Sequence, residues 1–133
     1  MRYARQISLD KIGKKGQKKL SQSCFGIVGI GGLGSTCANL LARAGIGKII
    51  LVDKDKVELS NLHRQILFSE KDVGKFKVKI AKHELNKINS KLKIMSHNFT
   101  LTKENISNLS ECDIILGCTD NLKSRFLINE FSL

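Results

Sequence analysis

The sequence predicts an α/β fold in which helices cover a parallel sheet. Short apolar runs, typical of buried parallel strands, alternate along the chain with stretches whose apolar residues recur at helical spacing. The first two apolar runs are joined by a glycine-rich turn and a helical stretch, as in a strand–helix–strand crossover. All 133 residues are therefore expected to form a single domain, in which a helical arm over about 1–22 precedes the sheet.

The first strand, turn and helix contain a glycine motif. The strand 25–30 (FGIVGI) leads into the spacing G-x-G-x-x-G, formed by Gly29, Gly31 and Gly34. The first glycine allows a tight turn, the second lets a phosphate approach the backbone, and the third lets the helix pack close to the sheet. The helix is expected over about 34–44, where two further glycines stop it.

An acidic residue follows the second strand. The strand 48–52 ends at Asp53, 19 positions beyond the last glycine of the motif, where a carboxylate of this architecture meets a ribose hydroxyl. This context indicates a nucleotide site in a Rossmann-like sheet; the alternative is glycines that serve only the turn. The segment 53–68 then has no regular period, but Asn61 and Arg64 belong to its dense polar cluster. Its position at a strand end favours ligand binding over a plain connection.

The remainder of the chain continues the alternation. The stretch 74–89 carries apolar residues at spacings of 3, 4 and 3, which predict an amphipathic helix. The other expected elements are a short helix over 14–21, strands over 91–97 and 113–117, a short helix over 102–109 with Thr102 as its N-cap, and a last helix over 124–133.

Composition narrows the classes of partner and compartment. The net charge is +11, but the lysines are spread along the chain and aromatic residues make up only 5%. This pattern indicates a solvated basic surface and argues against nucleic acid, with an acidic protein partner as the alternative. No apolar run approaches the ~20 residues of a membrane span, and no secretory leader is visible, so the expected compartment is the cytoplasm.

The four cysteines include no C-x-x-C pair, so no zinc cluster is indicated. Buried, reduced thiols are the expected state. Cys118 stands apart because it lies at a predicted strand end beside Thr119 and Asp120, which leaves a nucleophilic role open as an alternative.

Five motifs in order, RYARQ, GIGGLG, VDKDKVELSNLHRQ, GKFK and CTDN, carry a family resemblance. Over essentially its whole length the chain resembles the ThiF/MoeB/HesA adenylyltransferases, relatives of ubiquitin-activating enzymes. Such enzymes bind ATP and magnesium in a Rossmann-like domain and adenylate the C-terminal glycine carboxylate of a ubiquitin-like sulfur carrier ending in Gly-Gly, releasing pyrophosphate. The resemblance implies a homodimer and a chain that is the N-terminal, nucleotide-binding part, truncated at its C-terminus. Zinc is expected only in the missing part.

The resemblance also implies roles for individual residues. Asp53 would hold the ribose, Arg64 and Lys77 the triphosphate, Asp120 the magnesium ion, and Arg5 the ATP of the other subunit. The catalytic set is thus Arg5, Arg64, Lys77 and Asp120. The implied nucleotide-binding set is Gly29, Gly31, Gly32, Gly34, Asp53, Asp55, Ser60, Asn61, Leu62, His63, Arg64, Lys77, Asp120 and Asn121.

Each of these assignments has a plainer alternative. Arg5, Arg64 and Lys77 are surface charges in that reading, and Asp120 is a helix N-cap. His63 is expected to be structural rather than catalytic. The sequence also departs from the family at Phe76, where proline is usual, and this bears on the shape of the loop more than on Lys77.

Other functions remain open from the sequence. A branch of the same superfamily, a tRNA-modifying ATP-dependent dehydratase, would suit the basic charge. An NAD-dependent oxidoreductase would share the glycine turn and Asp53 but would have no use for Arg64, Lys77 and Asp120 together. An inactive subunit of a heterodimer is the non-enzymatic alternative. The sequence does not name the carrier protein, and so does not choose between thiamine and molybdopterin biosynthesis.

Overall fold

A parallel sheet of four strands runs through the centre of the protein. The computed structural model describes residues 1–133, and the strand order is β3-β2-β1-β4 with every pairing parallel. The strands are β1 (Cys24–Val28), β2 (Lys48–Val52), β3 (Lys93–His97) and β4 (Ile114–Gly117). The predicted Rossmann-like α/β fold is confirmed; β2 has the predicted bounds, and the ends of the other strands lie within two residues of the prediction.

Five α-helices surround the sheet. They are α1 (Ala4–Ile7), α2 (Gly13–Gln22), α3 (Gly32–Ala44), α4 (Lys77–Ile88) and α5 (Leu122–Ser132). The short helix α1 lies within the arm that was predicted to be helical over about 1–22, although no separate helix was predicted there. None of the helices has the length and apolar character that crossing a bilayer requires.

The core lies on both faces of the sheet. Every residue of β2 except Lys48 is buried, and its side chains alternate between two clusters. Ile49 and Leu51 pack with α3 and α4, whereas Ile50 and Val52 pack with the other face, which α5 covers through Ile128. This burial explains why the parallel strands are continuous apolar runs rather than alternating ones.

The strand order reverses beside β1. The chain builds β1, β2 and β3 outward in one direction and then returns to place β4 on the opposite side of β1. Ligands of open α/β sheets bind outside the carboxyl ends of the strands at such a reversal. The segments that leave β1 and β4 at this edge are the glycine turn and the CTDN motif.

One predicted helix is wrong in type and start. The stretch expected to be helical over 102–109 contains only a 3-10 helix, Ile106–Leu109. Asn105 Oδ1 accepts a hydrogen bond from the Thr102 backbone amide at 2.8 Å and closes a turn. The N-cap of the 3-10 helix is Asn105, so the prediction of Thr102 as the N-cap is wrong.

Candidate functional site

The four glycines of the turn after β1 divide into two kinds. A Cβ atom on Gly34 would lie 1.8 Å from the Gly29 carbonyl oxygen, and one on Gly29, where φ is +93°, would lie 2.7 Å from the Cys118 carbonyl oxygen. These two glycines are therefore required by the packing itself. A Cβ on Gly31 or Gly32 would meet nothing closer than 3.6 Å, so their surface is open to a ligand.

The turn delivers the chain to the amino terminus of α3, a helix of 13 residues. Gly31 occupies the N-cap position and offers no side chain, so the first amides of the helix lack a side-chain partner. Backbone N–H groups at such a helix end, together with the helix dipole, favour an anion. The open glycines and the uncapped helix thus point to the same edge of the sheet.

Asp53 holds the end of β2 against the glycine turn. Its Oδ2 accepts a hydrogen bond from the Ile30 amide at 2.7 Å, and its Oδ1 accepts one from the Asp55 amide at 2.7 Å. Each carboxylate oxygen keeps a further acceptor site. The side chain is therefore oriented by the backbone before any ligand binds, and it lines the cleft above the turn.

The loop after β2 folds back over the turn. Within the 3-10 helix Leu59–Asn61, the buried Asn61 accepts a hydrogen bond from the Glu58 amide through Oδ1 at 2.9 Å. Arg64 donates to the Ser60 carbonyl oxygen at 3.2 Å, and its methylene carbons lie 3.6 Å from the Cβ position of Gly32. The guanidinium thus lies beside the open part of the glycine turn.

Lys77 begins α4 and is only 6% exposed. Its backbone amide donates to the Asp55 carbonyl oxygen at 3.0 Å, and an antiparallel bridge between Lys56 and Phe76 ties the preceding residues to the same loop. The protein has only two ion pairs, Lys48–Glu111 and Lys87–Glu84, so neither Arg64 nor Lys77 has a carboxylate within salt-bridge distance. An ammonium group on a largely buried side chain, with no counter-ion, favours an anionic ligand.

Phe76, the departure from the family pattern, does not disturb this placement. Its φ is −65°, the value that a proline ring would impose, and its ring packs 5.0 Å from the Lys56 ammonium. The backbone before α4 therefore keeps the conformation that presents Lys77 to the cleft.

Two neighbouring polar residues that follow β4, Asp120 and Asn121, have different roles in the structure. Asn121 is the N-cap of α5 and accepts a hydrogen bond from the Ser124 amide through Oδ1 at 3.2 Å. The alternative reading of Asp120 as the N-cap is therefore wrong. The carboxylate of Asp120 is exposed and lines the cleft, which leaves it free to bind a ligand.

Cys118, at the same strand end, does not have the character of a nucleophile. Burial, with a smaller contribution from the neighbouring Cys37 thiol, raises the pKa of Cys118 to about 11. Only about one thiol in ten thousand is then ionised at neutral pH, and the thiolate is the reactive form. The Cys118 side chain is better described as packing beneath the cleft, 3.5 Å from the Cβ position of Gly34.

These segments enclose a cleft of about 600 Å³. The predicted site residues that line it are Gly29, Gly31, Gly32, Asp53, Asp55, Asn61, Arg64, Lys77 and Asp120. The predicted residues that do not line it are Arg5, Gly34, Ser60, Leu62, His63 and Asn121. His63 is exposed, with Nδ1 3.0 Å from the Ser60 carbonyl oxygen, in keeping with a structural role.

Six further residues line the cleft that the sequence analysis did not assign to the site: Leu33, Lys56, Glu58, Gln65, Cys118 and Thr119. The signal for Gln65 was present, because it ends the SNLHRQ motif. A second cleft of about 260 Å³ adjoins the first and shares Asp53 and Asp120 with it. Phe99 forms part of its wall.

A family comparison agrees with this geometry. The model of the ThiF family matches residues 3–133. The chain belongs to the ThiF family. The resemblance seen in the five sequence motifs is thereby confirmed.

Relatives of this ThiF-family chain are named as adenylyltransferases. It is 46% identical over 130 residues to the "Adenylyltransferase and sulfurtransferase MOCS3" of Aedes aegypti, covering 97% of this chain and 30% of that protein. It is 42% identical over 130 residues to the "Sulfur carrier protein ThiS adenylyltransferase" of Escherichia coli (strain K12), covering 97% and 52%. The chain therefore spans about a third to a half of the length of these relatives.

Solved structures of the family share the fold. An E. coli MccB structure with ATP superimposes with a TM-score of 0.86 at 34% identity, covering 98% of this chain and 41% of that one. The E. coli tRNA N6-threonylcarbamoyladenosine dehydratase TcdA superimposes with a TM-score of 0.90 at 26% identity, covering 98% and 54%. A tRNA-modifying enzyme is thus among its structural neighbours, and one of the MccB structures contains ATP.

Proposed function

We propose that this ThiF-family domain binds ATP with magnesium and adenylates the C-terminal glycine carboxylate of a ubiquitin-like sulfur carrier ending in Gly-Gly. The observation that carries the proposal is the meeting of Arg64 and Lys77, two cations without counter-ions, beside the open glycine turn and Asp53 in one cleft. The names of the relatives supply the class of reaction.

The two adjoining clefts match the parts of a nucleotide. Asp53, shared by both, would accept hydrogen bonds from the ribose hydroxyls. The phosphates would then extend over the glycine turn toward Arg64 and Lys77. The base would lie in the smaller cleft, where Phe99 offers an apolar surface. The volume of the larger cleft is within the range of ordinary ligand sites.

The charges of the larger cleft favour a metal ion as well. Three cationic side chains line it against four carboxylates, so it does not by itself neutralise a triphosphate. Magnesium is usually bound through one or two carboxylates together with substrate phosphates. The exposed carboxylate of Asp120 fits this role, and the ion would supply positive charge where pyrophosphate departs.

The proposed reaction is a substitution at phosphorus. A carboxylate oxygen of the carrier's terminal glycine attacks the α-phosphorus, and the bond from that phosphorus to the bridging oxygen breaks to release pyrophosphate. Repulsion between two unit charges about 4 Å apart is worth about 4 kcal/mol at an effective dielectric constant of about 20. Arg64, Lys77 and the helix amides would offset this repulsion, so the first step requires no nucleophile from the protein.

Arg5 would act on the neighbouring subunit in a homodimer. It lies exposed on α1, outside both clefts, and has no carboxylate within salt-bridge distance. An exposed cation on an arm can complete a site across a twofold axis, and symmetry then returns the same contact. This assignment is independent of the roles of Arg64 and Lys77.

A tRNA-modifying dehydratase is the second candidate, favoured by the similarity to TcdA and the net charge of +11. The higher identities, 42% and 46%, are to relatives named as adenylyltransferases, the former of a sulfur carrier protein, compared with 26% to TcdA. We therefore place carrier adenylation first. An NAD-dependent oxidoreductase would leave Arg64, Lys77 and Asp120 without a role.

Calorimetric titration tests the nucleotide assignment. We expect Mg-ATP to bind the chain more tightly than NAD does. Lys77→Met should weaken Mg-ATP binding by roughly 10- to 100-fold, the usual effect of losing a charge-assisted hydrogen bond. Lys79→Met, an exposed lysine of the same helix that is outside the cleft, is the matched control and should bind normally. Tighter binding of NAD would refute the proposal.

A further inference from the structure

Gln65 is a buried amide at the nucleotide cleft for which the residue roles above provide no function. Only 2% of its surface is exposed, yet it lines the cleft between the glycine turn and the SNLHRQ loop. Its backbone is fixed on both sides. The amide of Gln65 donates to the Asn61 carbonyl oxygen at 3.0 Å, and its carbonyl oxygen accepts from the Phe68 amide at 3.2 Å. The position of the side chain is therefore set by the loop.

The side-chain amide of Gln65 lacks the partners that a buried amide normally has. Its Oε1 is buried and makes no hydrogen bond, although the great majority of buried side-chain polar atoms make at least one. Its Nε2 is directed at the glycine turn, 3.7 Å from the Cβ position of Gly31. The unpaired Oε1 is an acceptor and would not pair with a phosphate oxygen. Nε2 is a donor, so it is the Nε2 group beside the glycine turn that an anionic ligand would bind.

The residues around the Gln65 side-chain amide indicate which part of the ligand it would contact. Gly31 has open surface and precedes the uncapped amino terminus of α3, the expected seat of an anion. Arg64, the residue before Gln65, lies over Gly32 on the same side of the cleft. An amide N–H group at this point adds a hydrogen-bond donor to the anion site without adding a charge.

We propose that the Gln65 side chain is a further nucleotide-binding residue, whose amide donates to the phosphate chain where it crosses Gly31. This inference rests on the proposed binding of ATP and deepens it. Gln65 orients the phosphates between the glycine turn and the cations. It therefore distinguishes a ligand with phosphates from the bare nucleoside.

Calorimetry with three probes tests this assignment: Mg-ATP, inorganic tripolyphosphate and adenosine. Gln65→Met keeps the length of the side chain and removes the amide. We expect it to weaken the binding of Mg-ATP and of tripolyphosphate by roughly 10- to 100-fold and to leave adenosine binding unchanged. Gln22→Met, the same change at an exposed site on α2, is the matched control and should alter none of the three.

The outcomes separate this inference from the proposed function. If the wild-type chain does not bind Mg-ATP, the proposed function fails. If the wild type binds it and Gln65→Met binds it equally well, or loses Mg-ATP and adenosine to the same extent, the assignment of Gln65 is refuted. Gln65→Glu, which is nearly identical in shape to the wild-type side chain, provides a second test that does not depend on correct folding of the methionine variant. It should lose more phosphate affinity than Gln65→Met at pH 8, and unchanged affinity would likewise refute the assignment.

Discussion

Substitution by alanine should have different effects at Gly34 and Gly32, two glycines of the same turn. It should lower the stability of the fold at Gly34 and the affinity for Mg-ATP at Gly32. A methyl group on Gly34 would lie 1.8 Å from the Gly29 carbonyl oxygen, whereas an ordinary carbon–oxygen contact is about 3.3 Å. The obstacle is backbone, so relief requires α3 to move away from the turn. Overpacking in a well-packed site typically costs about 1–3 kcal/mol, and this backbone clash should reach at least the upper end of that range.

The corresponding change in melting temperature follows from chain length. At about 2.1 cal/mol/K per residue, the unfolding entropy of 133 residues is about 0.28 kcal/mol/K. A loss of about 3 kcal/mol therefore lowers the Tm by about 11 °C. We expect a fall of at least this size for Gly34→Ala in a calorimetric melt.

Gly32→Ala is the matched variant. Its methyl group meets nothing closer than 3.6 Å, and the residue is the first of α3, where alanine is a good helix former. The Tm should stay within about 3 °C of the wild type, a change of less than about 1 kcal/mol. Mg-ATP affinity should fall by roughly tenfold or more, because the new methyl group occupies the surface where a phosphate approaches the backbone. A Gly34→Ala protein that melts with the wild type, or a Gly32→Ala protein with full Mg-ATP affinity, would refute this division of the glycines.

Three further outcomes are expected. Burial raises the pKa of Cys112 to about 12 and that of Cys118 to about 11, so above the usual thiol pKa of 9.0 the unfolded chain releases protons that the folded chain keeps. The free energy of unfolding should therefore be unaffected below pH 9 and fall between pH 9 and 12. A variant with alanine at both positions should show a shallower fall in melts across that range. In a protein extended to the length of its relatives, mixing Arg5→Ala subunits with Asp120→Ala subunits should restore activity to roughly a quarter of the sites, since about half of the dimers are mixed; no recovery after confirmed subunit exchange would show that Arg5 does not act across the dimer. The present chain should be only marginally stable and should associate at high concentration, because β4 is an open sheet edge and Phe126 on α5 is 73% exposed. Phe126→Lys should therefore reduce the mass measured by light scattering. A sharp two-state melt of a monodisperse wild-type monomer would contradict this.

The position of Lys77 shows why the placement of a loop residue at the site depends on tertiary contacts rather than on local sequence. Its approach to the cleft depends on the Lys56–Phe76 bridge, a pairing between residues 20 apart that no local period predicts. At the level of sequence, the family resemblance rather than spacing assigns Lys77 to the site. The bridge and the hydrogen bond from the Lys77 amide to Asp55 supply the physical reason.

The N-cap of α5 illustrates a second limit. Asp120 and Asn121 are both common N-cap residues, and sequence alone does not choose between neighbours. In the structure Asn121 is the N-cap, because its Oδ1 accepts a hydrogen bond from the Ser124 amide, and Asp120 lines the cleft. The choice depends on where the last turn of backbone after β4 begins, which the packing of α5 decides.

The sequence by itself determined the α/β class, the strand–turn–helix–strand unit and the family, because these depend on local properties. The apolar runs of β1 and β2, the glycine spacing and the motif order are all read within short windows. The tertiary structure alone decided which glycines are steric necessities and which are open, and which polar residues meet in the cleft. It also revealed the unpaired amide of Gln65. These features arise where the ends of β1, β2 and β4 converge, and contacts between residues far apart in the chain are set by packing rather than by local spacing.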